Sequence, residues 1–289
     1  MDSISLKAYA KINIGLDITG RRDDGYHLLR TCMQTIDLYD VVTVSKAAGQ
    51  TQDIRITASS GAVPADERNI AWQAAALVKE KFCISDKILI DIEKNIPMAA
   101  GLAGGSTDGA AVIKAMDELF CPGMDIETMD ELAKKLGADV PFCLRKGLWL
   151  CEGIGEILTE LSPVKDVWAA VIKPDFAVST AWCYRRFDEL KEADHPDMEG
   201  VICASKAGDL KAMCEAAQNV LEQVVCPRHP EIEDIKDRLI KSGALGAFMS
   251  GSGSAVFGLF DDEEKAKKAL SGFGGRPYLQ ESFLAGLIY

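Results

Sequence analysis

Ile12, Ile14, Leu16 and Ile18 alternate with Lys11, Asn13, Gly15 and Asp17. This is the period-two pattern of a half-buried strand, and it puts Lys11 and Asn13 on one face, about 7 Å (two residue rises) apart. Gly20-Arg21-Arg22-Asp23-Asp24-Gly25 reads as a turn, and residues 36–45, 53–58 and 88–92 read as further strands. Asn69 suits the N-cap of a helix over 70–82. A second helix opens at Ser106, with Val112, Ile113, Met116, Leu119 and Phe120 on one face, and Pro122-Gly123 stops it. A short helix over 127–136 follows, capped by Gly137.

Beyond Leu161-Ser162-Pro163 the texture changes. A buried-looking strand at 167–173 precedes helices near 180–191, 209–224 and 230–241; then come a strand at 256–260, a charged helix at 262–270 and an apolar final strand. The alternation lacks the regular spacing of a doubly wound parallel sheet. It predicts an α+β fold in two domains, 1–161 and 162–289.

Composition narrows the partners. The 289 residues are 48% hydrophobic and 26% charged, with 32 basic against 44 acidic groups and a net charge of −12. Nucleic acid and anionic membranes bind basic surfaces, so neither is expected as the main partner. A small phosphate-bearing metabolite needs only local donors and remains open. The nine cysteines are scattered with no C-x-x-C pair, unlike a zinc site or a disulfide framework. Phe142-Cys143-Leu144 and Val201-Ile202-Cys203 read as core-filling thiols, and the chain is expected to be cytoplasmic. Residues 1–17 hold no apolar run that would serve as a signal peptide, and no stretch is long enough to span a bilayer. No pattern points to an oligomeric state.

Five segments carry candidate chemistry. Pro97-Met98-Ala99-Ala100-Gly101-Leu102-Ala103-Gly104-Gly105-Ser106-Thr107-Asp108 runs through small and apolar residues into a helix N-terminus. Backbone that close to an anion, with first-turn N–H groups aimed at it, suits a triphosphate. The run is neither a Walker A loop, since no Lys follows the glycines, nor G-x-G-x-x-G. Gly137-Ala138-Asp139-Val140-Pro141-Phe142 holds a carboxylate between stiff neighbours, either a base aimed at one proton or a cap on the next turn. Lys11 is either surface or a partner of such a carboxylate. Ser250-Gly251-Ser252-Gly253-Ser254 reads on its own as a turn, with a second wall against a ligand as the alternative. In Gly25-Tyr26-His27 the aromatic can stack on a base while the imidazole bonds its edge, or the two can be an ordinary half-buried pair.

Taken together and in this order, with Ala10-Lys11-Ile12-Asn13 and Asp24-Gly25-Tyr26-His27 at the front, these segments resemble the GHMP small-molecule kinases. Within that family the resemblance is greatest to members that phosphorylate a cytidine-diphosphate-linked sugar alcohol in the non-mevalonate isoprenoid route. It implies a two-domain enzyme with its active site in the interdomain cleft, using ATP with Mg2+. It also implies that the loop from Pro97 to Thr107 wraps the phosphates, that Asp139 is the catalytic base and that Lys11 keeps it ionised. Asn13 would hold the sugar-alcohol end, Tyr26 and His27 the cytosine, with Tyr184 a second stacking face. Asn69 and Lys94 would approach the nucleotide. Phosphoryl transfer has a loose transition state, so positioning and charge stabilisation carry it. Gly109 departs from the family's usual alanine and should loosen the helix start by about 1 kcal/mol. Sister kinases acting on mevalonate or homoserine, and a non-catalytic nucleotide-binding module, are the alternatives.

Overall fold

The computed structural model describes residues 2–47, 52–120 and 123–289. Two compact units emerge, each drawn from three stretches of chain. One comprises Met1–Ala10, Tyr39–Ile96 and Ala103–Arg145; the other comprises Lys11–Leu38, Pro97–Leu102 and Lys146–Tyr289. A single cut near residue 161 does not trace these units, because two long strands, β1 (Ser3–Arg21) and β2 (His27–Lys46), each contribute to both.

In the first unit, β2 pairs antiparallel with β4 (Ile88–Glu93), and β4 pairs parallel with β3 (Ile54–Ala58). The register sets Val42 opposite Ile92, Val44 opposite Ile90 and Ile54 opposite Ile88, so alternation turns one apolar face inward. Against it pack α1 (Ile70–Phe82), α2 (Gly104–Phe120), α3 (Ile126–Leu136) and the single turn α4 (Val140–Cys143). Asn69 caps α1 as expected, its side chain accepting the Ala71 N–H at 2.9 Å. The buried residues Ala71, Ala74, Ala75 and Val78 follow the three-to-four spacing of a core-facing stripe.

One local expectation changes. A Cβ on Gly109 would lie 2.6 Å from Ile70 Cγ2, so alanine there would force Ile70 to shift where α1 packs on α2, which opposes its better helix propensity. Gly137 ends α3 as expected, in extended backbone (φ 162°, ψ 161°), and its N–H reaches the Ala133 carbonyl. Pro122 lies outside the described residues, while Gly123 adopts a φ of 102°.

In the second unit, β2 pairs through residues 29–34 with β5 (Leu148–Gly153), which pairs with β6 (Ile157–Leu161). Then come β7 (Trp168–Pro174), α5 (Thr180–Phe187), α6 (Met198–Ala207), α7 (Leu210–Ala216), α8 (Glu222–Val225), α9 (Glu231–Lys241), β8 (Gly246–Met249), β9 (Val256–Phe260), α10 (Glu263–Ser271) and β10 (Leu279–Gly286). The last four-stranded sheet is antiparallel in the order β10-β7-β9-β8. Sequence reading missed β5, β6, α6 and β8. All four residues of β8 are buried, which erases alternation. The helix expected over 209–224 is broken in two. Ala217 turns extended (φ −78°, ψ 140°), and Asn219 spends its side chain on the Leu221 N–H and on the Met249 and Gly251 carbonyls.

Cys32, Cys151, Cys183 and Cys214 are buried, as expected of core thiols. Cys203 is exposed, because α6 turns Val201 and Ile202 inward and the next position away. Among the described residues, no helix is long and apolar enough to cross a membrane.

Candidate active site

β1 delivers Lys11 and Asn13 to one face, as its period requires, and buries them to 3% and 1% exposure. A buried ammonium must replace its lost hydration with acceptors. Lys11 Nζ donates to Asn13 Oδ1 at 2.7 Å and to the Gly101 carbonyl at 2.7 Å. Asn13 is held in turn: its Nδ2 donates to Thr31 Oγ1 at 3.0 Å, and the Thr31 hydroxyl donates to the Gly15 carbonyl at 2.7 Å. Asn13 Oδ1 and Nδ2 are therefore each engaged, the first by Lys11 and the second by Thr31.

The small-residue loop has an unusual backbone. Ala99 and Ala103 lie in the left-handed region (φ 51° and 61°), which costs a residue bearing a Cβ on the order of 1 kcal/mol each. At Gly101 (φ 76°) a Cβ would sit 2.0 Å from the Ser250 carbonyl oxygen, so only glycine fits. Pro97, Ala100 and Leu102 are buried, Met98 and Ala99 exposed. The helix then opens at Gly104, two residues before Ser106; Gly104, Gly105, Ser106 and Thr107 form its first turn, with Thr107 buried and Gly105 exposed. The Thr107 N–H already bonds the Ala103 carbonyl at 2.9 Å, which leaves the N–H groups of Gly104, Gly105 and Ser106 without a partner inside the helix, the kind of end that suits an anion.

The 250–254 segment is more than a turn. Ser250 is fully buried, and its hydroxyl donates at 2.9 Å to the Gly101 carbonyl that Lys11 also reaches. The Ala255 N–H bonds the Ala100 carbonyl at 3.1 Å. The two glycine-rich segments are therefore bonded to one another, with Lys11 at the junction.

In the first unit, Lys94 bridges two carboxylates. Its Nζ pairs with Asp40 and, at 2.8 Å, with Asp108 Oδ2. Asp40 is fully buried, and its Oδ1 accepts the N–H groups of Asn95 (2.6 Å) and Ile96 (2.8 Å). Burial pushes Asp108 up to about 7, against the pull of Lys94. Asn69, 7% exposed, gives Oδ1 to the helix cap and donates Nδ2 to the Pro64 carbonyl at 2.8 Å. The side chains of Asn69 and Lys94 are thus both engaged within the fold.

Asp139 occupies the N-cap position of α4 but makes no side-chain capping bond, so capping does not account for it. It is half-buried, in helical backbone (φ −81°, ψ −16°), two residues before Pro141.

The Gly-Tyr-His segment has neighbours that the sequence did not announce. His27 stacks on Tyr184 with centroids 4.8 Å apart, and its Nε2 lies 2.7 Å from Asp188 Oδ1. Arg21 reaches the other oxygen of Asp188 at 3.1 Å. Tyr26 stands 61% exposed beside them in sequence, an aromatic face open to a ligand.

The GHMP kinases N terminal domain family matches residues 69–147, and the GHMP kinases C terminal family matches 202–278. A 4-diphosphocytidyl-2-C-methyl-D-erythritol kinase of Clostridium perfringens is 47% identical over 273 residues, 94% of each chain. The chain belongs to the GHMP kinase family. A relative of the same name from Lachnoclostridium phytofermentans is 45% identical over 98% of this chain and 97% of its own. A crystal structure of 4-(cytidine 5'-diphospho)-2C-methyl-D-erythritol kinase superposes with a TM-score of 0.83 at 31% identity, covering 99% of this chain and 100% of that one.

As a GHMP kinase, the chain is an ATP-dependent small-molecule phosphotransferase of mixed α+β architecture. A cut near 161 separates the two family matches, although the compact units divide the chain differently. The sequence had marked Lys11, Asn13, the loop and Asp139. It had not marked Thr31, Asp40 or Asp188, and had read Ser250 as part of a turn. Asp40 carried a signal, a carboxylate set between the apolar residues Leu38 and Val41. Asp188, in a charged stretch at a helix end, carried none.

Proposed function

We propose that this kinase transfers the γ-phosphoryl group of ATP to the 2-hydroxyl of 4-diphosphocytidyl-2-C-methyl-D-erythritol. One observation carries the mechanism: the Lys11 ammonium is buried and bonded at 2.7 Å to the Gly101 carbonyl, so it is held against the glycine-rich loop. In this reading residues 97–107 bind the β- and γ-phosphates through backbone N–H groups, assisted by Ser106 and Thr107. Lys11 offsets the charge that spreads over the transferring group, and Asp139 takes the proton of the attacking hydroxyl. Asn13 serves by orienting Lys11. Tyr26, His27 and Tyr184 form the site for the cytosine, with Asp188 holding the imidazole.

ATP enters as its magnesium complex, and the metal belongs to the substrate. Asp108 Oδ1 is a buried carboxylate oxygen without a hydrogen-bond partner near the loop. Its other oxygen faces Lys94, so Asp108 would offer at most Oδ1 to the metal, and phosphate oxygens and water would supply most of its ligands. Lys94 and Asn69 are assigned to holding the nucleotide site's frame. The negative net charge and the cysteine usage favour a small-molecule partner and a cytoplasmic setting, without a nucleic-acid or membrane role.

The test is ADP release with magnesium-ATP, comparing the cytidyl substrate with mevalonate and homoserine, for the wild type and Asp139→Asn. Turnover confined to the cytidyl compound and lowered about 10²–10⁴-fold in the variant supports both substrate and base. Turnover with another alcohol overturns the roles of Tyr26 and His27. An unimpaired Asp139→Asn removes the base.

A further inference from the structure

The loop over 97–107 leaves the chain just after Ile96 and returns just before Asp108, and both of these ends are tied to the same three buried side chains. Asp40 accepts the Asn95 and Ile96 N–H groups at the outgoing end. Lys94 Nζ joins Asp40 to Asp108 in the first turns of α2 at the returning end. A Cβ on Gly104 would lie 3.3 Å from Lys94 Nζ, so the ammonium also sits directly beneath the first residue of that helix.

Resting on the kinase reading above, we propose that Asp40, Lys94 and Asp108 form a buried ionic latch across the base of the phosphate loop, and that Lys94 is a positioning residue rather than a ligand of the nucleotide. Charge counting supports this assignment. One ammonium beside two carboxylates is at most neutral and at worst one negative charge, so the group as a whole offers no net attraction to a triphosphate. Burial holds Asp108 well above the usual carboxylate range, which trims the repulsion without making the group cationic. The Lys94 side chain is 7% exposed and those of its partners 0% and 3%, so none of the three is presented to a ligand. What the group does supply is geometry: the strand end and the helix start are held at one spacing, which fixes both ends of the loop between them.

The two readings of Lys94 differ in sign when Asp40, and not Lys94, is changed. If Lys94 were a direct ligand, Asp40→Asn would remove a competing anion, and magnesium-ATP would bind equally or more tightly. If the three residues are a latch, Asp40→Asn loosens the loop. KM for magnesium-ATP then rises about tenfold or more while KM for the alcohol substrate stays within about twofold. Hydrogen exchange at the Asn95 and Ile96 amides should quicken in the same variant, and Asp108→Asn should raise KM for magnesium-ATP in the same direction. If Asp40→Asn does not fold, the charge-balanced pair Asp40→Asn with Lys94→Met replaces it, and the latch requires that pair to lose no more affinity than Lys94→Met alone. Unchanged or tighter magnesium-ATP binding in Asp40→Asn, or a pair that loses more affinity than Lys94→Met alone, overturns the latch. A wild-type chain that binds no magnesium-ATP would instead remove the kinase reading, while exchange at Asn95 and Ile96 would still decide whether Asp40 anchors the strand end.

Discussion

Lys11 Nζ and Asn13 Oδ1 lie 2.7 Å apart on one face of β1, and neither side chain is exposed beyond a few per cent. A charged donor and a neutral amide two residues apart in a strand meet only because the pleat points both the same way. Removing the amide leaves a buried ammonium short of an acceptor. Asn13→Leu should therefore lower kcat by about 1–3 kcal/mol, or roughly 5- to 150-fold, with a smaller change in KM for ATP. Steady-state kinetics check this, and an unchanged kcat would deny Asn13 any part in orienting Lys11.

Gly101 is set by two independent constraints, a φ of 76° and a carbonyl oxygen 2.0 Å from where a Cβ would stand. Gly101→Ala should lower stability by roughly 2 kcal/mol or more, since the obstruction is backbone rather than a pliable side chain. Gly105→Ala is the control, because its Cβ would meet only Ile70 Cδ1 at an ordinary 3.7 Å. Denaturant unfolding of the two variants should separate them clearly.

Gly109 makes a different prediction from its helix propensity. Intrinsic preference favours alanine by about 1 kcal/mol. Contact with Ile70 at 2.6 Å opposes it, so Gly109→Ala should destabilise. Adding Ile70→Ala should recover part of the loss, and a double-mutant cycle by thermal unfolding measures the coupling. Strictly additive effects would show that the collision is absorbed elsewhere.

Asp108 ties stability to pH. Its folded pKa, near 7 against 3.8 as the reference, means that the folded chain holds a proton that the unfolded chain releases. Nothing is lost below about pH 4, where both states are protonated; the loss grows as pH rises towards 7 and then levels off. Its size is on the order of a few kcal/mol. Asp108→Asn should lack this component. The difference in unfolding free energy between variant and wild type should therefore change between pH 4 and 7 in favour of the variant and stay level above that range.

Asp188 should matter to the cytidyl substrate without touching the chemistry. Loss of the carboxylate at 2.7 Å from His27 Nε2 frees the ring to rotate. Asp188→Ala is expected to raise KM for the nucleotide-bearing substrate about tenfold with kcat nearly unchanged. A fall in kcat alone would place Asp188 elsewhere in the reaction.

What was legible in the sequence is what local physics determines. Alternation located β1, β3 and β4, and the placement of Lys11 and Asn13 on one face follows from the pleat alone. Asn69 announced α1 because a cap is chosen within three residues of the helix it starts. The run of small residues marked the phosphate loop, because only such residues let backbone crowd an anion.

Tertiary structure decided whatever depended on residues distant in sequence. Nothing near Gly101 reveals that Ser250 stands 2.0 Å from its missing Cβ, and nothing near Lys94 reveals that Asp40 and Asp108 enclose it. The break between α7 and α8 follows from Asn219 bonding carbonyls some thirty residues downstream. β8 stayed hidden because burial on both faces removes the alternation that marks a strand. Periodicity and capping act over a few residues and are written in order along the chain. Burial of charge and the fit of one backbone against another depend on which distant segments meet, and this chain divides its two long strands between both units.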